Sequence, residues 1–138
     1  MTLAQRRRAL MMAADDEPIG PGWMTGVPYT NIVLIPNQYY TISGGIVNYE
    51  GWSRTEYIPC HGASRIVCPI VTGLSTISDY GAFFDENYKP ISGPGVRFRI
   101  SGSYATTNTV PSNAWYFGFS QSTAIMQNYA NSGITPYE

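Results

Sequence analysis

The chain has 138 residues, a formal net charge of −1 and a hydrophobic share of 43%. This length fits one domain with a core of its own, and the composition excludes both a disordered tail and a strongly basic nucleic-acid binder. Only 12% of the residues are charged, whereas 14% are aromatic. Such a surface is covered by partners or binds neutral polar ligands such as sugars; alternatively, the aromatic residues serve as strand formers.

The first 17 residues differ in composition from the rest of the chain. Leucines, alanines and methionines surround an arginine run, which favours a short helix that orders only against a packing partner. We expect residues 1–28 to form an N-terminal anchoring arm with a Pro/Gly-rich linker; the alternative is an ordinary helix packed on its own domain. The residues expected to contact a partner are Leu3, Arg6, Arg7, Arg8, Leu10 and Met11.

Charge and hydropathy limit what this arm can bind. Acidic residues follow the arginine run closely, so an acidic patch on a neighbouring protein is a better partner for it than nucleic acid. The apolar run after Arg8 is too short for a signal peptide, and no apolar run reaches the length of a membrane span. We therefore expect synthesis in a cytoplasm, without a cleaved signal and without membrane insertion.

Residues 29–120 carry short strand patterns separated by turn signals. These patterns lie at residues 31–36, 38–43, 46–50, 52–59, 65–71, 80–85, 96–101 and 114–120. Because no helical period alternates with them, they predict an all-β fold, an antiparallel β-sandwich of jelly-roll type with a short N-terminal arm or helix. Residues 121–138 are expected to form a C-terminal tail packed on the domain or on a neighbour, with one helical turn around residues 124–129.

Several segments carry more specific expectations. The Gly44–Gly45 pair predicts a hairpin between the patterns on either side of it. Residues 52–59 lack a clean apolar face, which predicts a position at a sheet edge or beside a ligand. Residues 80–85 are expected to be a core strand, and the polar residues 102–113 a loop.

The two cysteines flank a predicted four-residue turn. Cys60 and Cys68 are too few for a disulfide framework, and in a protein made in a cytoplasm they are expected to be buried thiols. A disulfide across a hairpin is the alternative, since their positions are symmetric about the turn.

Few groups suited to catalysis or metal binding are present. His61 is the only histidine, and it follows Cys60, so the two side chains would point to opposite faces of a strand instead of forming a dyad. A zinc site at these two residues and Cys68 lacks a fourth ligand, and no carboxylate pair is singled out for glycosidase chemistry. The acidic turn at residues 85–87 is expected to be an Asx turn, with calcium binding as the alternative. No catalytic residue, metal site or cofactor is therefore predicted.

Aromatic rings are the strongest ligand-binding signal in the sequence, because a tyrosine or tryptophan offers a flat apolar face and a polar tip. The aromatic candidates are Trp52, Tyr57, Tyr80, Tyr88, Trp115 and Tyr116. Arg54 or Glu56 would supply hydrogen bonds to a sugar. The residues predicted to bind a ligand are Trp52, Arg54, Tyr57, Tyr88 and Trp115.

Three segments in order are similar to a known family. Residues 54–59 (RTEYIP) resemble the S-x-Y-I-P-V entry strand of a small β-sandwich in tail and baseplate proteins of tailed bacteriophages. Residues 82–93 (AFFDENYKPISG) resemble the central FYD-x-N-K-x-F-I-S-G segment of that family, and residues 110–117 (VPSNAWYF) resemble its V-P-x-N-A-x-Y closing strand. Residues 3–11 also resemble openings of structural proteins from phages of Gram-positive bacteria.

The resemblance implies a virion component with a carbohydrate-binding-module-like fold, of the kind found in receptor-binding appendages, head fibres and capsid decorations. The chain lacks the repeat, coiled-coil stalk and second module of the longer fibre proteins, which favours a compact decoration or tip subunit. We therefore expect a non-enzymatic structural protein in the virion, bound to other capsid or tail proteins. A homo-oligomer is expected, with a trimer as the form suited to a symmetric site. The alternative is a receptor-binding module for host-surface polysaccharide.

Overall fold

The computed structural model describes residues 25–30, 32–71, 73–74 and 77–138. Within these residues the chain forms ten strands and one helix, and every strand pairing is antiparallel. The elements are β1 (Leu34–Tyr40), β2 (Ile46–Thr55), β3 (Ile58–Pro59), β4 (Arg65–Cys68), β5 (Ile77–Ser78), β6 (Gly81–Phe84), β7 (Ile100–Ser101), β8 (Thr106–Thr109), β9 (Tyr116–Ser122), α1 (Thr123–Ser132) and β10 (Thr135–Tyr137). The predicted all-β class is confirmed at the level of a mostly antiparallel β-fold with one short helix.

Strand β9 is the centre of the largest sheet. It pairs with β2 and with β3 at different points along its length, and with β6 along residues 116–119. Ile58 of β3 and Phe83 of β6 both lie opposite Phe117, which places these two strands on opposite sides of β9. Strand β1 pairs with β2 and ends the sheet there. Strand β9 is therefore hydrogen-bonded along both edges.

The hairpin predicted at the Gly44–Gly45 pair is confirmed, since β1 and β2 pair in antiparallel fashion on either side of it. The strand patterns at residues 31–36 and 38–43 contribute to a single strand, β1. Asn37 has a positive φ of 62°, and the register shifts between residues 36 and 38 while the pairing continues on both sides. The irregularity bends the strand instead of ending it.

The edge position expected for residues 52–59 is found for β3, at the end of the sheet, but is wrong for β2. Strand β2 lies between β1 and β9, and its inward side chains are polar. Ser53 Oγ lies 2.8 Å from Thr123 Oγ1, and the backbone N–H of Phe119 donates to Thr55 Oγ1 at 3.2 Å. Because these hydroxyls have hydrogen-bond partners, burial of the polar face of β2 costs little free energy. The absence of an apolar stripe in β2 therefore does not mark a sheet edge.

Both faces of β6 are buried, which confirms the core strand expected at residues 80–85. One face contributes Phe83 to the main hydrophobic core, where it packs near Phe117 of β9. The other face contributes Ala82 and Phe84 to a second, smaller core that includes Tyr40 of β1. The tip of the β1–β2 hairpin therefore covers the face of β6 and β9 that points away from the main core.

A glycine in β9 makes this covering possible. A Cβ atom at Gly118 would lie 2.6–2.8 Å from the ring of Tyr40, closer than van der Waals contact. The backbone N–H of Tyr40 donates to Ser120 Oγ at 2.8 Å, and its hydroxyl donates to the carbonyl of Thr55 at 2.8 Å. Tyr40 is thus held close to the backbone of β9 by hydrogen bonds from its own backbone N–H and from its hydroxyl.

A smaller sheet has the order β10-β4-β8, and β5 pairs with β7. The expected hairpin across residues 61–64 does not form, because β3 pairs with β9 whereas β4 pairs with β8 and β10. Cys60 and Cys68 are both buried and free, as expected for thiols. The two segments that carry them belong to different sheets.

Strand β8 lies within residues 102–113, which were expected to be a loop. Its inward residues, Thr106 and Asn108, are buried and donate to the carbonyl of Arg99 at 2.9 and 3.0 Å. The strand has no apolar stripe because its inward side chains bind a neighbouring segment through hydrogen bonds. The run of β-branched threonines was the available signal.

The C-terminal residues are part of the same fold. The expected boundary at residue 120 falls inside β9, and the expected helical turn extends over the ten residues of α1. Met126 and Tyr129 of α1 lie in the main core, and β10 pairs with β4. Residues 25–30 run beside β10, with a backbone hydrogen bond of 2.8 Å from Gly26 to Pro136.

Gly118→Ala should destabilise the protein by about 1–3 kcal/mol, because the new methyl group overpacks the second core against the Tyr40 ring. Urea denaturation followed by tryptophan fluorescence measures the change. Gly45→Ala is the matched control: its Cβ would meet only Thr41 Oγ1, at 3.4 Å, and should change stability by less than about 0.5 kcal/mol. Equal stabilities of the two variants would contradict the close approach of Tyr40 to β9.

Candidate functional site

A surface groove of about 360 Å³ lies beside the second core. Its lining residues are Ile35, Arg54, Glu56, Tyr57 and Tyr88. They come from β1, from the end of β2, from the connection between β2 and β3, and from the turn after β6. The groove therefore forms where several chain segments meet.

The connection between β2 and β3 explains how two neighbouring residues share the groove. In a regular strand, Glu56 and Tyr57 would point to opposite faces. Pairing with β9 stops at Arg54 and resumes at Ile58, so these residues lie outside regular strand geometry. The backbone N–H of Glu56 donates instead to the carbonyl of Val33 at 3.0 Å.

Three tyrosines form one wall of the groove and the surface next to it. The rings of Tyr88 and Tyr116 are stacked, with centroids 4.5 Å apart and an interplanar angle of 17°. Tyr57 lies 4.9 Å from Tyr88 and also makes an edge contact with Phe84 of the second core at 4.9 Å. The wall is therefore continuous with the packed interior, which limits its freedom to move.

The turn after β6 places Tyr88 in this wall. Asp85 Oδ1 accepts hydrogen bonds from the backbone N–H groups of Asn87 and Lys89 at 2.8 and 3.0 Å, which confirms the predicted Asx turn. Tyr88 itself has a φ of 63°, in the left-handed region. The side chain is half exposed.

Arg54 is the positive group of the groove, and its orientation depends on β1. Its Nε donates to Gln38 Oε1 at 2.8 Å, and its Nη1 donates to the hydroxyl of Tyr40 at 3.1 Å and to the carbonyl of Thr55 at 3.2 Å. Burial raises the pKa of Tyr40 to about 12 although the neighbouring guanidinium lowers it, so this phenol stays neutral and accepts the hydrogen bond. Nη2 makes no hydrogen bond within the described residues.

Glu56 is the negative group of the groove and is exposed. Its charge also reaches Tyr29: burial raises the pKa of the Tyr29 phenol, and the Glu56 carboxylate raises it further. The groove thus contains one donor group and one acceptor group of opposite charge beside aromatic rings.

Five residues were predicted to bind a ligand. The structure brings three of them together in the groove, namely Arg54, Tyr57 and Tyr88. Trp52 belongs to a separate surface cluster with three tyrosines, the centroids lying 5.0 Å from Tyr80 and 5.3 Å from Tyr39.

Trp115 lies elsewhere. Its ring is stacked on that of His61, with centroids 3.9 Å apart and an interplanar angle of 8°. The six arm residues predicted to contact a partner lie outside the described residues.

Sequence reasoning missed Ile35 as a lining residue and left Tyr116 and Glu56 among the wider candidates. Strand β1 reaches the groove because it pairs with β2, where Ile35 lies opposite Arg54. The predicted hairpin was a signal for this pairing, but the register depends on the irregularity at Asn37.

A second cavity of about 290 Å³ is a weaker candidate. Its lining includes Ile42, Asp79 and Arg97 but no aromatic ring. Asp79 Oδ1 accepts a hydrogen bond from Arg99 Nε at 2.7 Å, so its charge is already paired.

The two cysteine thiols are buried in the core. Burial raises the pKa of Cys68 to about 12 and that of Cys60 still further, so both thiols are poor nucleophiles at neutral pH. Among the described residues, no group of three or more His, Cys, Asp or Glu side chains is arranged to hold a metal ion.

Comparison with known proteins gives no relative: no family model, no curated protein and no solved structure matches this chain. Within the described residues, the single helix α1 is neither long nor apolar enough to cross a bilayer.

The two thiols should be protected in the native protein. Because burial disfavours the thiolate of Cys60 and Cys68, labelling with a disulfide reagent at pH 8 should be slow in buffer and complete for both residues in urea. Ala105→Cys, at an exposed position, is the control and should add one rapidly labelled thiol. Rapid labelling of the unmodified chain would contradict the buried placement.

Proposed function

We propose that this chain is a non-enzymatic structural protein of a tailed-bacteriophage virion. It anchors through its N-terminal arm to the capsid or tail and displays its β-domain as a decoration, head-fibre or tail-tip subunit. The proposal starts from the three segments that resemble virion proteins, at residues 54–59, 82–93 and 110–117.

The observation that carries the proposal is the position of these segments in the fold. Ile58 of the first segment and Phe83 of the second both pair with Phe117 of the third, and Pro59 and Phe84 both pair with Tyr116. Segments far apart in the sequence are thus adjacent strands of one sheet. Such adjacency is expected if the resemblance reflects a shared structural unit and is not expected of three unrelated matches.

We propose that the domain is a β-sandwich of jelly-roll type. The assignment is supported by the main core, which contains Ile66 from the sheet of β4 together with Phe83 and Phe117 from the sheet of β9. A core shared by two antiparallel sheets is the defining feature of a sandwich.

Assembly into a homo-oligomer, with a trimer as the expected form, belongs to this proposal. Support comes from the β1–β2 hairpin, where Ile42 is 69% exposed and Tyr49 is 55% exposed. These apolar side chains would be covered when the subunit sits among other virion proteins.

Deletion of residues 1–17 should convert an assembling chain into a soluble, folded monomer, because the arm is proposed to be the assembly element. Light scattering coupled to size-exclusion chromatography gives the mass of both forms, and circular dichroism reports whether the truncated form is folded. A variant with Leu3, Leu10 and Met11 all replaced by Ser should behave like the deletion if apolar contacts carry the assembly.

Replacement of Arg6, Arg7 and Arg8 by Ala separates charge from apolar burial in the same arm. Loss of assembly in this variant, with assembly retained in the variant that has Ser at positions 3, 10 and 11, would indicate an acidic partner surface. Identical stable monomers for the full and the truncated chain would contradict the anchoring role.

The groove favours a second candidate function, a receptor-binding module for host-surface carbohydrate. A sugar ring has an apolar C–H face that stacks on aromatic rings, and hydroxyls that both donate and accept hydrogen bonds. Tyr57 and Tyr88 offer the first kind of contact, and Arg54 and Glu56 offer the second. A displayed virion subunit would have use for such a site, so the two functions are compatible.

Glu56→Gln should weaken glycan binding by about tenfold or more, the loss expected for a hydrogen bond to a charged group. Stability should be unchanged because Glu56 is exposed. A glycan array followed by calorimetric titration of the hits measures the effect. Glu86→Gln, at an exposed position that does not line the groove, is the control; absence of glycan binding by the unmodified chain would remove this second function.

A further inference from the structure

Tyr88 occupies a backbone conformation that its residue type disfavours. With a φ of 63°, it is one of two non-glycine residues with a positive φ within the described part of the chain, the other being Asn37. Asparagine tolerates this region, whereas a bulky aromatic residue there is an outlier. The last position of such a turn is ordinarily glycine.

The turn itself does not require a tyrosine side chain. Its closing hydrogen bonds involve Asp85, whose carboxylate binds the backbone N–H groups of Asn87 and Lys89 and whose carbonyl accepts from the backbone N–H of Tyr88 at 3.0 Å. A glycine at position 88 would keep all of these bonds and adopt the same φ without strain. The reason for the tyrosine therefore lies in its ring.

Packing accounts for only part of that ring. It is stacked on Tyr116, yet half of the side chain is exposed and lines the groove. When a residue keeps a strained backbone conformation although its side chain is only partly packed, the position is typical of a functional site. Tyr104 is the useful comparison, since it is equally exposed at 50% but has no left-handed backbone.

The charges of the groove indicate the class of ligand. Arg54 supplies a hydrogen-bond donor and Glu56 an acceptor, and their opposite charges leave the groove without a net preference for an anion or a cation. A vicinal pair of sugar hydroxyls can accept from the first and donate to the second. The adjacent Tyr57 and Tyr88 rings suit the apolar face of the same ring.

We infer that Tyr88 is the stacking platform of this groove for a neutral hexopyranose unit, and that its strained backbone is kept for that contact. The inference rests on the carbohydrate-binding function proposed above and names the residue and the sugar class on which that function depends. The inference makes different predictions for stability and for binding. The strained backbone of Tyr88 lowers the stability of the fold, whereas the Tyr88 ring contributes to ligand affinity.

The test compares the full chain with Tyr88→Gly, Tyr88→Phe and Tyr104→Ala. The probes are the methyl pyranosides of glucose, galactose, mannose and N-acetylglucosamine, with glucuronic acid as the charged counterpart. Amide chemical-shift titrations give affinity and location together, and thermal unfolding gives stability. Tyr88→Phe keeps the ring and the backbone strain, whereas Tyr104→Ala removes an equally exposed ring elsewhere.

We expect a neutral pyranoside to shift the amides of residues 54–57 and 85–89, and Tyr88→Gly to weaken binding by about tenfold, as for loss of one stacked ring. The melting temperature of Tyr88→Gly should be equal to or higher than that of the unmodified chain. Tyr88→Phe and Tyr104→Ala should both retain binding.

The remaining outcomes would each contradict a different part of the inference. Binding by the unmodified chain that Tyr88→Gly leaves intact would overturn the role of Tyr88 and leave carbohydrate binding standing. Preference for glucuronic acid would overturn the neutral class of ligand. A large fall in the melting temperature of Tyr88→Gly would make the ring a packing residue, and no binding of any probe would overturn the inference together with the carbohydrate function.

Discussion

The contact between Tyr40 and the bare backbone of β9 is the constraint on which the rest of the structure depends. A sheet with one face on the main core would leave its other face to solvent. Here Gly118 lets the Tyr40 ring lie directly against the strand, and hydrogen bonds to Ser120 and Thr55 hold it there. The hairpin that carries Tyr40 then covers β6, which is why that strand is buried on both faces.

The groove is a consequence of the same contact. Arg54 is oriented by the Tyr40 hydroxyl, and Tyr57 packs on Phe84 of the second core. The site therefore has rigid support beneath it although its residues lie on irregular segments. This combination of irregular backbone on a packed base is typical of binding sites, since the irregularity points side chains where a regular strand could not.

The two proposed functions place different demands on different parts of the chain. Virion anchoring is proposed for the N-terminal arm, whereas ligand contact is proposed for the groove, which is lined by residues from two of the three segments that resemble phage proteins. These segments supply one tyrosine each to the aromatic surface, namely Tyr57, Tyr88 and Tyr116.

The sequence by itself determined the mostly antiparallel β class, the hairpin at Gly44–Gly45, the core strand around Phe83 and the Asx turn at Asp85. These features depend on local alternation and turn chemistry, which act within a few residues. The loop predicted at residues 102–113 and the edge position predicted for β2 are both wrong. The inward side chains there, such as Asn108 and Thr55, are polar and are buried with their hydrogen bonds satisfied, so the apolar pattern that marks a buried strand is missing.

Only the tertiary structure decided which strands are neighbours, and therefore which predicted ligand residues meet. Arg54, Tyr57 and Tyr88 share the groove, whereas Trp52 and Trp115 pack elsewhere. Alternation assigns a side chain to a face, but the partner of each strand depends on long-range pairing that no local pattern encodes.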